Sequence, residues 1–152
     1  MKKYLLLFSL FIATLSSCKK DSFDPVKQAA TDDAAIQNYI SANHITATKD
    51  PSGLYYSIIT AGSGSYPTAS STVTVNSVGK LLDGTVFDTE AGLKVPLGNV
   101  IVGWRNGLQH INTGGRILLM IPSAQGYGNQ SQQGIPKNSV LIFTVDLLGF
   151  SN

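Results

Sequence analysis

At 152 residues the chain has the size of a single domain with enough length for a sizeable core. Charged residues are 13% and the hydrophobic share is 43%, a balance that excludes a disordered chain, which needs high charge and few apolar residues. The formal net charge of +2 rests on Lys2 and Lys3; without them 9 basic residues face 9 acidic ones, and no basic patch supports nucleic-acid binding.

Lys2-Lys3 give a positive start, and Tyr4 to Leu15 form an apolar run of about a dozen residues, too short to span a bilayer. Leu15-Ser16-Ser17-Cys18 follows and resembles a lipobox. Residues 1–17 therefore read as a lipoprotein signal peptide, the other reading being an ordinary secretory signal with a coincidental cysteine. The resemblance implies that Cys18 is acylated and anchors the chain to a membrane of the bacterial cell envelope, the outer membrane being the expected one. With its one cysteine used for lipid, the chain forms no internal disulfide, although the compartment permits them.

Residues 18–30 mix Lys, Asp, Ser and Pro without periodicity and read as a flexible tether. Thr31-Asp32-Asp33 then supplies helix-start chemistry, a capping oxygen and negative charge at the positive end of the dipole. Ile36, Tyr39 and Ile40 make an apolar stripe at i, i+3 and i+4. A helix is predicted from about Asp32 to Asn43 within an N-terminal segment 31–48. It either packs on the domain or pairs with a second copy.

Residues 49–152 form the main domain. Asp50-Pro51-Ser52-Gly53 is a turn, and Leu54 to Thr60 is rich in aromatic and β-branched residues, as strands are. Ala61 to Ser71 is loop. Val73, Val75 and Ser77 alternate with polar residues in a half-buried strand reaching about Leu82, and Gly79 inside it marks a bulge or a close approach. Asp83-Gly84 signals a hairpin turn into Thr85-Val86-Phe87. Asp88 to Leu93 reads as a loop, and Lys94 to Leu97 as a short edge strand interrupted by Pro96.

Val100 to Ile111 is the helical stretch. Trp104, Leu108 and Ile111 fall at i, i+4 and i+7 and share one face. Asn112-Thr113-Gly114-Gly115 ends it, and Arg116 to Ile121 is another strand. Pro122 to Asn138 is a long polar loop, a kind more often functional than idle. Ser139 to Leu148 closes the sheet, with Leu141, Phe143, Val145 and Leu147 on one face. The expected fold is α+β: a curved antiparallel sheet of five or six strands wrapped on one short helix, with an extra N-terminal helix. Trp104 either floors an apolar pocket or is simply core.

The usual catalytic kits are absent. His44 and His110 lack zinc-ligand spacing, and no nucleophile elbow, P-loop or dinucleotide fingerprint occurs. No metal, nucleotide or other cofactor is implied.

Leu81-Leu82-Asp83-Gly84-Thr85-Val86-Phe87-Asp88, Val95-Pro96-Leu97-Gly98, Val100-Ile101-Val102-Gly103-Trp104, Gly126-Tyr127-Gly128 and Val140 to Val145 together resemble the FKBP-type peptidyl-prolyl cis-trans isomerases. Order and spacing agree from about Gly53 to Phe150, nearly two-thirds of the chain. The resemblance implies a shallow apolar pocket between sheet and helix. Trp104 would floor it beneath a substrate proline, with Phe87, Leu93, Val100, Ile101, Ile135 and Phe143 around it. Asp88 and Tyr127 would be the catalytic pair, Asp88 near the substrate carbonyl and Tyr127 donating to it. The implied partners are proline-containing segments of exported proteins, with a macrolide as a further ligand and the membrane reached through the lipid on Cys18.

Read as residues alone, Phe87 and Phe143 serve equally as core and Asp88 as a turn cap. The chain also departs from the family pattern. Ser77 stands where the family usually has Tyr, and Leu93 where it often has Phe. The stretch between Gly98 and Val100 is shorter than typical, and Ser123-Ala124-Gln125-Gly126-Tyr127-Gly128 replaces the usual form of the tyrosine loop. Two alternatives follow: a module of the same fold that holds proline-containing segments without useful catalysis, which Ser77 favours, and a structural lipoprotein that dimerises through the N-terminal helix.

Overall fold

A computed structural model of the chain describes residues 23–152. The expected signal peptide, the lipobox and Cys18 lie outside the described residues.

Helix α1 spans Pro25–Ala42 and starts earlier than its apolar stripe suggests. Asp24 is the N-cap: its Oδ1 accepts from the amides of Val26 at 2.9 Å and Lys27 at 3.1 Å. Pro25 stands just inside the start, where its missing N–H costs nothing. Residues 25–30, expected in the tether, are therefore the first turns of the helix. Asp32, expected near the cap, lies inside the helix and is buried.

Six strands form one antiparallel sheet: β1 (Thr48–Lys49), β2 (Tyr55–Thr60), β3 (Thr72–Leu81), β4 (Val86–Pro96), β5 (Arg116–Ile121) and β6 (Leu141–Ser151). Their spatial order is β1-β2-β5-β6-β3-β4, so β3 and β6 lie inside the sheet and β4 is an edge.

The expected strand start at Thr85–Phe87, loop at Asp88–Leu93 and short strand at Lys94–Leu97 are one strand of 11 residues, β4. Its pairing with β3 shifts register between Val75 and Ser77, opposite Gly92, and there Asn76 Oδ1 accepts the Gly92 amide at 2.8 Å. The bulge absorbs the glycine instead of ending the strand. Pro96 is tolerated because an edge strand leaves amides that need no ladder partner.

The inner strands β5 and β6 are covered on both faces. Ile117, Leu119 and Ile121 of β5 and Leu141, Phe143, Val145 and Leu147 of β6 join Leu54, Val73 and Val75 on one face. The alternate residues Met120, Ile142 and Leu118 point to the other face, where Ile36, Tyr39 and Ile40 of α1 meet them. Helix α1 thus packs on the back of the sheet, which settles one of the two readings of its apolar stripe.

The front face is covered by α2 (Val102–Gly107), preceded by a 3-10 turn at Leu97–Asn99 and followed by another at Leu108–His110. Trp104, Leu108 and Ile111 are all buried in the front core. Two glycines let the helix lie against β5: a Cβ on Gly103 would stand 2.4 Å from Ile121 Cγ2, and one on Gly107 would stand 2.5 Å from Leu119 Cδ2. Among the described residues no helix is long and apolar enough to cross a membrane.

Candidate functional site

The site is built where the N-terminal end of α2 meets the middle of the sheet. Trp104, in the first turn of α2, is 5% exposed. The ring of Phe143 on β6 stands edge-on to its indole, and the ring of Phe87 on β4 stands edge-on to Phe143. These aromatic rings can approach so closely because β3 runs between β4 and β6 and carries no side chain at this point. Gly79 is in register with Asp88 on one side and Phe143 on the other. A Cβ there would sit 2.7 Å from Phe143 Cε1 and 2.8 Å from two atoms of the Phe87 ring.

Above this packing lies a cavity of about 300 Å³ lined by Asp88, Leu93, Asn99, Val100, Ile101, Trp104, Tyr127 and Phe143. The indole is well buried yet forms part of the cavity wall, and among the described residues its Nε1 has no hydrogen-bond partner. Of the residues singled out in the sequence, Asp88, Leu93, Val100, Ile101, Trp104, Tyr127 and Phe143 come together here. Phe87 and Ile135 do not line the cavity. Phe87 supports it from behind through Phe143, and Ile135 is 5% exposed and packs in the front core. Asn99 does line it and was missed; it sits in a 3-10 turn that looked like featureless connection, and nothing in its sequence neighbourhood marks it.

The lining residues come from four parts of the chain. Asp88 and Leu93 are given by β4, which is why its continuity matters. Asn99 to Trp104 come from the turn into α2, Phe143 from β6, and Tyr127 from the long loop. That loop opens with a 3-10 turn at Ser123–Gln125. The Ser123 carbonyl accepts two amides, Gly126 N at 3.0 Å and Gly128 N at 2.8 Å, one on each side of Tyr127. Tyr127 is 37% exposed, so its ring is anchored mainly by this backbone arrangement.

Among the described residues Asp88 accepts no side-chain hydrogen bond from Ser77. Ser77 is buried at 3% exposure, and among the described residues its hydroxyl has no partner. The cavity therefore offers a carboxylate, a phenol and an aromatic floor within mainly hydrocarbon walls, which suits a neutral ligand with one polar group. Neither histidine takes part. His110 stacks on Tyr56 with ring centroids 4.2 Å apart and brings Nε2 to 3.5 Å from Asp50 Oδ2. Among the described residues no group of three His, Cys, Asp or Glu side chains is placed to hold a metal ion.

Comparison with known proteins gives one consistent answer. The family model for FKBP-type peptidyl-prolyl cis-trans isomerases matches residues 64–148. The FKBP-type peptidyl-prolyl cis-trans isomerase FkpA of Escherichia coli (strain K12) is 40% identical over 128 residues, covering 80% of this chain and 47% of that protein. FkpA of Aeromonas hydrophila is 33% identical over 156 residues, covering 97% of this chain and 56% of the relative. The crystal structure of E. coli FkpA superposes with a TM-score of 0.72 at 38% identity, covering 83% of this chain and 62% of that one. A peptidyl-prolyl cis-trans isomerase from Pseudomonas syringae pv. tomato superposes with a TM-score of 0.71 at 28% identity, covering 86% of this chain and 99% of its own. The chain spans about half the length of the curated relatives it matches.

Proposed function

The chain belongs to the FKBP-type peptidyl-prolyl cis-trans isomerases, and from that footing we propose that it catalyses cis-trans isomerisation of X-Pro bonds. The observation that carries the reading is the cavity itself: Trp104, Asp88 and Tyr127, far apart in sequence, line one space with aliphatic and aromatic neighbours.

The reaction breaks no bond. Its barrier of roughly 18–20 kcal/mol is the amide resonance lost when the C–N bond twists. In the twisted state the nitrogen no longer shares its electron pair, and the imide is less polar than the planar ground state. A cavity that removes the imide from water and fits the contorted shape stabilises the barrier top more than the ground state. The proline ring rests on the Trp104 indole, the Tyr127 hydroxyl donates to a neighbouring substrate carbonyl that the twisted shape brings within reach, and Asp88 stands near it on β4. No covalent intermediate and no cofactor enters.

The substrates are proline-containing segments of exported proteins, whose folding is slowed by prolyl isomerisation to tens or hundreds of seconds. The N-terminal pattern of residues 1–18 supports placement at the cell envelope, held by lipid on Cys18 at the outer membrane. A macrolide would occupy the same cavity. Proline-limited refolding of an unrelated protein tests the activity: an accelerated slow phase supports it, and an unchanged rate at every concentration of the chain removes it.

Ser77 favours a second reading, in which the chain holds proline-containing segments with little turnover, because its small buried hydroxyl stands where an aromatic side chain is usual in the family. Ser77→Tyr separates the two. A large gain in rate supports holding, and an unchanged rate in a variant of wild-type stability supports isomerisation.

A further inference from the structure

We propose that Asp32, on the N-terminal helix, is a positioning residue for Tyr127, so that α1 belongs to the machinery of the site as well as to the back core. The inference rests on the isomerase reading for its catalytic consequence and on hydrogen bonding for its structural one.

Asp32 is 2% exposed. Its Oδ2 accepts from both the amide and the hydroxyl of Ser123, at 2.8 and 2.6 Å, across 91 residues of sequence. Its Oδ1 accepts from Gln28 Nε2 at 2.7 Å. Among the described residues no Lys, Arg or His pairs with it. A buried carboxylate without a counter-ion is costly unless donors surround it. Holding α1 on the sheet does not require that cost, since Ile36 does so one turn further on by apolar contact. What the carboxylate does, and an apolar side chain cannot, is fix Ser123.

Ser123 passes this constraint on. Its amide and hydroxyl are given to Asp32, while its carbonyl takes the amides of Gly126 and Gly128 that bracket Tyr127. Next to it, Gln125 Nε2 donates to the Ser52 carbonyl at 2.9 Å and ties the same turn to the β1–β2 connection. On its far side the loop is held by the Gln130 amide on the Tyr127 carbonyl at 3.2 Å and the Asn138 amide on the Gly128 carbonyl at 2.8 Å; Ser123 fixes the near side, and the Tyr127 ring, 37% exposed between two glycines, depends on both. A donor that must meet one oxygen in a strained state loses effect with small displacement.

The test compares Asp32→Ala, Tyr127→Phe and the double variant in the full chain, by isomerisation kinetics and by amide exchange. Asp32→Ala is expected to lower kcat and kcat/KM together, by about two- to tenfold, the size of one hydrogen bond. The double variant is expected to be no slower than Tyr127→Phe alone, because Asp32 acts through that hydroxyl. The Gly126 and Gly128 amides are expected to exchange faster while those of Val145 and Leu147 keep their protection. Asp33→Ala, which removes the neighbouring pair with Lys49, should leave kcat and both loop amides unchanged. Ser123→Ala, which keeps the amide bond to Asp32, serves if Asp32→Ala does not fold, with the same ordering expected. Additive losses in the double variant, or unchanged exchange at Gly126 and Gly128, overturn the proposal. A wild-type chain without isomerase activity sinks the enzymatic reading instead, and the amide exchange still decides whether Asp32 positions the loop.

Discussion

The edge of the Phe143 ring meets the indole of Trp104 with centroids 5.2 Å apart and planes at 85°, and Phe87 meets the same phenyl ring at 5.4 Å and 86°. One residue of an inner strand therefore joins the floor of the cavity to the strand that carries Asp88. Edge-to-face pairs of this kind are worth about 0.5–1.5 kcal/mol each beyond their buried area. Phe143→Leu keeps much of the volume but removes both pairs. It is expected to cost about 1–3 kcal/mol in urea unfolding, to shift Trp104 emission, and to weaken binding of proline peptides. Unchanged emission would show that Phe143 does not set the surroundings of the indole.

Gly79 makes this arrangement sterically possible. Gly79→Ala places a methyl group inside the space held by Phe87 and Phe143. Overpacking of that kind costs about 1–3 kcal/mol. The expected result is a lower denaturation midpoint together with a loss of peptide affinity larger than destabilisation alone explains. A variant with wild-type stability and affinity would mean that both rings move aside freely.

Tyr127→Phe isolates the phenol. Its ring is more than a third exposed, so stability should stay within about 0.5 kcal/mol of wild type. The rate of isomerisation should fall about two- to tenfold, one hydrogen bond's worth. Equal rates would remove Tyr127 from the mechanism.

Acid should weaken the fold through carboxylates held below their ordinary range; leaving aside the exposed Asp83, which is bonded to Thr85, three carry the effect. The bond from Lys49 holds Asp33 below its ordinary range, with help from the Tyr55 hydroxyl. The Arg116 guanidinium does the same for Asp146. At Asp50 burial pushes the other way, but bonds from the Ser52 side chain and amide, His110 and the Leu54 amide outweigh it. All three bind protons more weakly when folded, so the unfolded chain takes up more protons as pH falls. Stability is thus expected to be complete above the ordinary carboxylate value of about 3.9 and to drain away as pH drops through it toward the lowered values. Asp33 and Asp146 are partly exposed and their shares are small. Urea midpoints at pH 7, 5 and 3 check the direction, and Arg116→Ala should flatten part of the fall. A midpoint that rises on acidification would contradict the assignment.

Much of this architecture is written in local patterns. Trp104, Leu108 and Ile111 are buried together as their spacing predicts, although the α-helix ends at Gly107, a 3-10 turn carries Leu108 and Ile111 is already extended; the Asp83-Gly84 turn lies where its chemistry places it, with Asp83 Oδ1 accepting the Thr85 amide at 2.9 Å. The failures are equally physical. Residues 25–30 carry no apolar stripe because that part of α1 is exposed, so only Asp24-Pro25 announced the start of the helix. Gly92 and Pro96 look like breakers, yet an Asn76 side chain and an edge position accommodate them. The Asp32–Ser123 contact spans 91 residues, and no local pattern links a helix carboxylate to a serine at that distance. The cavity gathered residues whose family resemblance had grouped them, whereas Phe87 and Ile135 took supporting places that spacing alone does not distinguish from lining ones.

The central claim is that a prolyl segment occupies the space above Trp104, and the chain's single tryptophan makes this directly observable. The measurement is a titration with a proline-containing peptide, followed by indole emission, beside the same peptide with alanine in place of proline. A saturable change with the first peptide and a flat trace with the second is the expected result. Two superimposable traces would contradict the account.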